Sequence, residues 1–68
     1  MALVKVIEVL SESTKSWEDA VDTAVEEASK TIKNIRSAYV KEQSVVIKDD
    51  KVAGYRVNVK ITFELNRK

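Results

Sequence analysis

The stretch that decides the fold is Tyr55–Leu65, with the sequence YRVNVKITFEL. Apolar and polar side chains alternate along it without a break. Because successive side chains of a β-strand point to opposite faces of a sheet, this period of two predicts a strand with one buried face and one polar face. The apolar side carries Tyr55, Val57, Val59, Ile61, Phe63 and Leu65, and the polar side carries Arg56, Asn58, Lys60, Thr62 and Glu64.

Two further segments have strand character. Leu3–Leu10 is rich in β-branched residues and is interrupted only by Lys5 and Glu8, which predicts a strand with apolar side chains on both faces. Ile35–Ile47 predicts a longer strand with a less regular pattern. On this strand we expect one side to carry Ala38, Val40, Glu42, Ser44 and Val46 and the other to carry Ser37, Tyr39, Lys41, Gln43, Val45 and Ile47.

An amphipathic helix is predicted between the first two strands. The polar turn Ser11–Ser16 offers Ser13 or Ser16 as the N-cap. From Trp17 onward, apolar residues recur at steps of three and four over about five turns, and acids precede bases on the polar side, as the helix dipole favours. The apolar stripe consists of Trp17, Ala20, Val21, Ala24, Val25, Ala28, Ile32 and Ile35.

The topology follows from the connections. The charged segment Lys48–Lys51, with Asp49 and Asp50 at its tip, predicts a hairpin that makes the second and third strands antiparallel. The helix returns the chain parallel to the first strand, so an antiparallel sheet requires the third strand in the middle. We therefore predict a single α+β domain over residues 1–68, of order β-α-β-β, in which a three-stranded sheet of order 1-3-2 wraps one helix and Trp17 lies near one end of the core.

Composition excludes several classes of protein. The 68 residues include one Gly and no Pro, Cys or His, so disulfides, soft-metal sites and the usual nucleophile–base pairs are absent. The net charge of +1 argues against nucleic-acid binding. Lys5 and Glu8 interrupt the amino-terminal apolar run, and no segment approaches the roughly 18 apolar residues of a membrane span. We expect a cytoplasmic protein without nucleic-acid or membrane partners, and 44% hydrophobic residues in so short a chain favour self-association.

Carboxylate pairs do not indicate catalysis. Glu18, Asp22 and Glu26 are neighbours on the polar side of the helix, where a row of acids is most often a solvated surface. Asp49 and Asp50 are explained by the turn, since no EF-hand calcium loop surrounds them. An enzyme is therefore the least supported class of protein.

Three segments together resemble the dodecin family. They are the Ser-Trp pair at the start of the helix (residues 16–17), TIKNIRSAYV (residues 31–40) and GYRVNVKITFEL (residues 54–65). The resemblance covers nearly the whole chain without insertions. It implies a β-α-β-β subunit and a hollow homododecamer that has its sheets inside and its helices outside and that binds ligands without catalysis.

The resemblance also implies where the family's flavin site falls. Typical dodecins stack flavin between Trp side chains of two subunits and hydrogen-bond it through a Gln. Those positions are Ser37 and Arg56 in this sequence, so the stacking walls are lost and the amide is replaced by a group that donates but does not accept. Glu64 stands where members that take phosphorylated flavin carry Arg, and a carboxylate repels phosphate. Flavin binding is therefore expected to be weakened or absent.

The chain resembles the branch of the family described as calcium-type, because an Arg, Arg56, follows Tyr55. Glu42 and Glu64 are the candidate cation ligands, although salt bridges from them to Arg56 or Lys60 on the same sheet are the favoured interpretation. The sequence thus predicts a homododecameric, non-catalytic shell for a small ligand or ion, with calcium or weakened flavin as candidates.

Two alternatives remain open. One is a flavin-binding dodecin with an atypical site, in which Tyr39 or Arg56 covers the ring. The other is a purely structural or protein-interaction module.

Overall fold

The computed structural model describes residues 3–65, so the ends of the predicted domain, residues 1–2 and 66–68, lie outside the described residues. The elements are strand β1 (Val4–Ser13), helix α1 (Trp17–Ala28), strand β2 (Ile35–Lys48) and strand β3 (Lys51–Glu64). The sheet order is β1-β3-β2, and both pairs are antiparallel. The α+β class and the central position of the alternating strand are therefore confirmed.

Helix α1 packs on one face of the sheet. Its small residues Ala20 and Ala24 allow the helix to lie close to β3, whose apolar side chains beneath it are fully buried. This confirms that the apolar side of the alternating stretch faces the helix. The buried core consists of Ala20, Ala24, Val57, Val59 and Ile61, and around it pack Ile7, Val9, Trp17, Val21, Ala28, Ile35 and Ala38.

The start of the helix is fixed by two serines. Ser16 is the N-cap, and its Oγ accepts a hydrogen bond from the backbone N–H of Asp19 at 2.9 Å. Ser13 Oγ donates to Asp19 Oδ2 at 2.6 Å, which joins the end of β1 to the first turn of α1. The predicted cap is thus confirmed, and it satisfies one of the free amides of the first turn.

The helix is shorter than predicted. It has 12 residues, about three turns rather than five, and ends at Ala28. After it the N–H groups of Lys30 and Thr31 bond three residues back, and Asn34 takes a positive φ of 64° that leads the chain into β2. Ile32 and Ile35 were assigned to the helix wrongly: Ile32 follows it and Ile35 begins β2. Ile35 still packs on the core, so the apolar spacing continues past the helix end.

Strand β1 is longer than predicted. Residues 11–13, expected in a polar turn, pair with β3, and Ser13 lies opposite Tyr55. Backbone pairing with the central strand overrides the turn preference of this serine-rich segment, because edge pairing satisfies its amides.

The predicted alternation of β2 is wrong beyond Val40. The register shifts between Val40 and Glu42, so Lys41 is an extra residue that reverses the pattern. Glu42 lies opposite Asn58, on the polar side of β3, whereas Val40 lies opposite Val59 on the helix side. A bulge of this kind inserts one residue and moves every following side chain to the other face.

The far end of the β2–β3 hairpin extends beyond β1. We call residues 46–54 the hairpin arm, because β1 ends opposite Tyr55 and only β2 and β3 continue past that point. Asp49 and Asp50 form the predicted turn, and both have positive φ, 53° and 64°, as a type I′ hairpin requires. Ile47 and Val52 on the arm are more than half exposed.

Candidate ligand face of the sheet

The face of the sheet opposite α1 has no layer over it within residues 3–65, and we call it the open face. The cross-strand register assigns its residues: the polar side chains of β3 lie here, each beside a partner from the edge strands. The open face comprises Arg56, Asn58, Lys60, Thr62 and Glu64 of β3, Val4, Val6, Glu8, Leu10 and Glu12 of β1, and Ser37, Tyr39, Glu42 and Ser44 of β2.

The β1 side of the open face is largely apolar. Val4, Val6 and Leu10 are 57%, 50% and 67% exposed. Ile7 and Val9, which alternate with them, pack toward the helix. The prediction that β1 has apolar residues on both faces is therefore confirmed, and only one of those faces is covered in the isolated chain.

One end of the open face carries an ion pair between Arg56 and Glu12. Arg56 Nε donates to Glu12 Oε2 at 2.8 Å, and Arg56 Nη2 lies 2.7 Å from the same oxygen. The two residues are direct cross-strand partners, and about half of each side chain is exposed.

The other end carries an ion pair between Arg36 and Glu64. These contacts correct the predicted salt bridges, in which Glu64 was to pair with Arg56 or Lys60. Arg56 lies eight residues from Glu64 along β3, about 26 Å, which is too far for an ion pair, and it pairs with Glu12 of β1 instead. Within the described residues, Glu42 makes no ion pair.

Glu8 forms the centre of the open face. Asn58 Nδ2 donates to Glu8 Oε2 at 2.8 Å, and Lys41 Nζ lies 3.8 Å from that oxygen. The hydrogen bond from Asn58, with the nearby charges of Lys41 and Lys60, holds the pKa of Glu8 below its usual range, although desolvation opposes the shift. Glu8 is thus a fixed negative charge at neutral pH.

The predicted flavin-site residues fall in two places. Ser37 lies opposite Thr62, and Tyr39 lies opposite Lys60, so these two β2 residues are neighbours on the open face. Tyr39 is 56% exposed. Arg56 lies six residues from Thr62 along β3, about 20 Å away. One chain therefore does not bring Ser37 and Arg56 into a single site.

The predicted cation ligands are also far apart. Glu42 lies opposite Asn58, again six residues, or about 20 Å, from Glu64. Within residues 3–65, no group of three or more His, Cys, Asp or Glu side chains is placed to hold a metal ion. A single chain thus supplies one of these two carboxylates, not both, to any one ion.

Trp17 lies on the opposite side of the sheet from these residues. Its indole Nε1–H donates to the backbone carbonyl of Ser44 at 2.9 Å, and its ring contacts Tyr55 edge-on, with centroids 5.2 Å apart. Trp17 thus packs against the core, as predicted, and it anchors the start of the helix to β2.

Glu8, Glu12 and Arg36 were missed among the candidate site residues. Alternation along β1 does place the two glutamates on one face, but only the register between β1 and β3 sets them beside Lys60 and Arg56. Arg36 is an extra residue at a register shift of β2, which no simple period of two reveals.

A groove lies between α1 and β1, on the helix side of the sheet. This groove has a volume of about 390 Å³ and an apolar lining that includes Ile7, Val9 and Ile32. It contains no cluster of ionisable side chains among the described residues, so it suits apolar packing rather than ion binding.

None of the helices within residues 3–65 is long and apolar enough to cross a membrane. Solved structures that resemble this fold include several dodecins. A variant of the Thermus thermophilus dodecin matches with a TM-score of 0.93 at 26% identity, over 100% of both chains. The Streptomyces coelicolor dodecin matches with a TM-score of 0.92 at 30% identity, over 98% of this chain and 96% of that one.

Sequence comparison points to the same proteins. The calcium dodecin of Mycobacterium tuberculosis is 32% identical over 65 residues, 96% of this chain and 92% of the relative. Its crystal structure, described as that of a calcium-chelating immunodominant antigen, matches with a TM-score of 0.84 at 31% identity, over 94% of this chain and 91% of that one. The Dodecin family profile matches residues 3–66. This chain therefore belongs to the dodecin family.

Proposed function

We propose that this protein is a non-catalytic, homododecameric shell that holds a small ligand or an ion on its open face. The observation that carries the proposal is the open face itself, a polar and partly exposed central row beside an exposed apolar edge strand. Membership of the dodecin family supports this proposal, and one relative of known structure is described as calcium-chelating. In a shell with its sheets inside, this face lines the shared interior.

Uncovered apolar side chains support the self-association. Val6 and Leu10 on the open face and Ile47 and Val52 on the hairpin arm are each at least half exposed. A two-stranded hairpin alone is marginally stable in water, and covering its apolar residues contributes about 25 cal/mol per Å². Further copies of the same chain are the partner that we propose for these surfaces.

The first ligand to test is calcium. A relative at 32% identity is named calcium dodecin, and Glu42 and Glu64 both lie on the open face. Calcium takes roughly six to eight oxygen ligands, more than one of these carboxylates supplies. The proposed ion site is therefore shared between copies, with Glu42 or Glu64 contributed by each.

Flavin is the second candidate ligand, favoured by the exposure of Tyr39 beside Ser37. Tyr39 provides an aromatic surface near the position where the family's Trp is missing. Arg56 is less suited to cover a ring, because Glu12 holds its guanidinium. We expect weaker binding than a pair of Trp walls provides, since stacking is worth about 1–3 kcal/mol per ring.

Sedimentation velocity tests the assembly. We expect the native protein to sediment as a dodecamer at micromolar concentration and Ile47→Lys to dissociate it, because a charge replaces an apolar contact on the hairpin arm. Glu18→Lys, a charge change on the exposed side of α1, is the matched control and should leave the size unchanged. A native protein that sediments as a monomer would contradict the proposed dodecameric shell.

Titration tests the ligand. Calorimetry with calcium should show binding that weakens in Glu42→Gln or Glu64→Gln and that persists in the helix control Glu26→Gln. Fluorescence quenching of riboflavin and of its phosphate tests the flavin alternative. If millimolar calcium gives no heat and neither flavin is quenched, the protein is a structural module instead.

A further inference from the structure

We infer that Glu12 determines the charge preference of the open face, because its pairing with Arg56 keeps anionic ligands away from this guanidinium. The face then favours neutral or cationic ligands. The inference rests on the proposed function in one respect, namely that the open face is the surface on which ligands bind.

The geometry of the pair supports this role. Both Nε and Nη2 of Arg56 lie within 2.8 Å of the same oxygen, Glu12 Oε2. Glu12 stands directly opposite Arg56 in the register of β1 and β3, so the contact needs no backbone movement. An anion that approaches Arg56 therefore meets a carboxylate held at short range by two of its donors.

The other described cations of the open face also lie near carboxylates. Arg36 pairs with Glu64 at one end of the sheet, and Lys41 lies near Glu8 at its centre. Glu8 also interacts with Lys60, its direct partner on β3. Neither arginine within residues 3–65 is free of a carboxylate, so a phosphate approaching this face meets a negative charge beside each guanidinium.

Arg56 is the position where removing one charge would create an anion site. Its guanidinium has more N–H donors than one carboxylate oxygen occupies. Ser44 lies directly opposite on β2 with a hydroxyl that can donate, and the Ser44 backbone is held by the indole of Trp17. Arg56 and Ser44 are therefore neighbouring donors, and Glu12 is the group that neutralises the charge of Arg56.

Calorimetric titration with inorganic phosphate tests the inference. We expect Glu12→Gln to bind phosphate about fivefold more tightly than the native protein. The substitution removes the negatively charged carboxylate that competes with phosphate for Arg56. Glu18→Gln, which removes the same charge from the exposed side of α1, should leave the affinity unchanged. The double variant Glu12→Gln/Arg56→Gln should lose the gain.

Unchanged phosphate affinity in Glu12→Gln, or an equal gain in Glu18→Gln, would overturn the inference. The fluorescence of Trp17 reports whether each variant is folded. Sedimentation of the same samples keeps the two proposals separate: a monomeric protein contradicts the shell, whereas the phosphate affinities test Glu12 in either assembly state.

Discussion

The two faces of β3 differ although one alternating stretch builds both. Val57, Val59 and Ile61 are fully buried under α1, and burial of each contributes about 1.5–3 kcal/mol. On the open face, Arg56 forms an exposed ion pair, and such pairs are worth about 0–1 kcal/mol. The comparison teaches that this chain places most of its folding energy on the covered face and little of it on the open face.

The largest expected effect is on the covered face. Ile61→Ala should lower the free energy of unfolding by about 3 kcal/mol, because it leaves a cavity in a fully buried core. The neighbouring open-face change Thr62→Ala should cost less than about 1 kcal/mol. Urea unfolding at a fixed protein concentration measures both, and equal losses would contradict the division between the faces.

The helix that covers one face depends on its cap. Ser16→Ala should lower the free energy of unfolding by about 1 kcal/mol, because the Asp19 N–H loses its acceptor. Thr14→Ala, at an exposed position before the helix, is the control and should change little. Thermal unfolding followed by circular dichroism measures the difference. If Ser16→Ala does not change the stability, sheet packing alone positions the helix.

The ion pairs of the open face should contribute little to stability. A double-mutant cycle on Arg36→Gln and Glu64→Gln should give a coupling below about 1 kcal/mol at low salt. At 1 M NaCl, where the Debye length is about 3 Å, the coupling should vanish. A coupling of several kcal/mol that survives salt would show that the open face also holds the fold together.

The smallest effect is a pKa change at the centre of the open face. Asn58→Ala should raise the pKa of Glu8 toward its ordinary value, because the largest cause of the depression is the Asn58 hydrogen bond. Carboxyl NMR titration measures the shift, with Thr62→Ala as the control. If the Glu8 pKa does not change, the charges of Lys41 and Lys60 cause the depression instead.

The same pKa has a consequence for stability against pH. The folded pKa of Glu8 lies below its unfolded value, so the stabilisation from this group is present above the unfolded pKa and is lost as pH falls through the folded pKa. As pH is lowered through that range, the free energy of unfolding should therefore fall less in Asn58→Ala than in the native protein.

Much of the fold was predictable because the signals are local. Alternation identified β3, the KDDK segment identified the hairpin, and the order of elements placed β3 in the middle, which is the observed topology. The helix end was misjudged because Ile32 and Ile35 continue the apolar spacing beyond Ala28, and both contribute to the helix side of the sheet from non-helical positions. Periodicity reports which side a residue faces better than it reports where an element stops.

The candidate site was less predictable. Ser37 and Arg56 came from the family resemblance, yet the structure sets them about 20 Å apart along the sheet. The partner that matters most to Arg56, Glu12, lies 44 residues away in the sequence, and no local pattern connects the two. Bulges at Arg36 and Lys41 added side chains that a strict period of two assigns to the wrong face.

The sequence by itself determined the class of the elements, the apolar face of β3 and the family to which the chain belongs. These features depend on residues that are close in the sequence and on motifs that can be read from the sequence alone. Only the tertiary structure decided which carboxylate neutralises Arg56, where Glu42 faces and how far the hairpin arm extends beyond its cover. Those features depend on register, and register is set by pairing between distant strands.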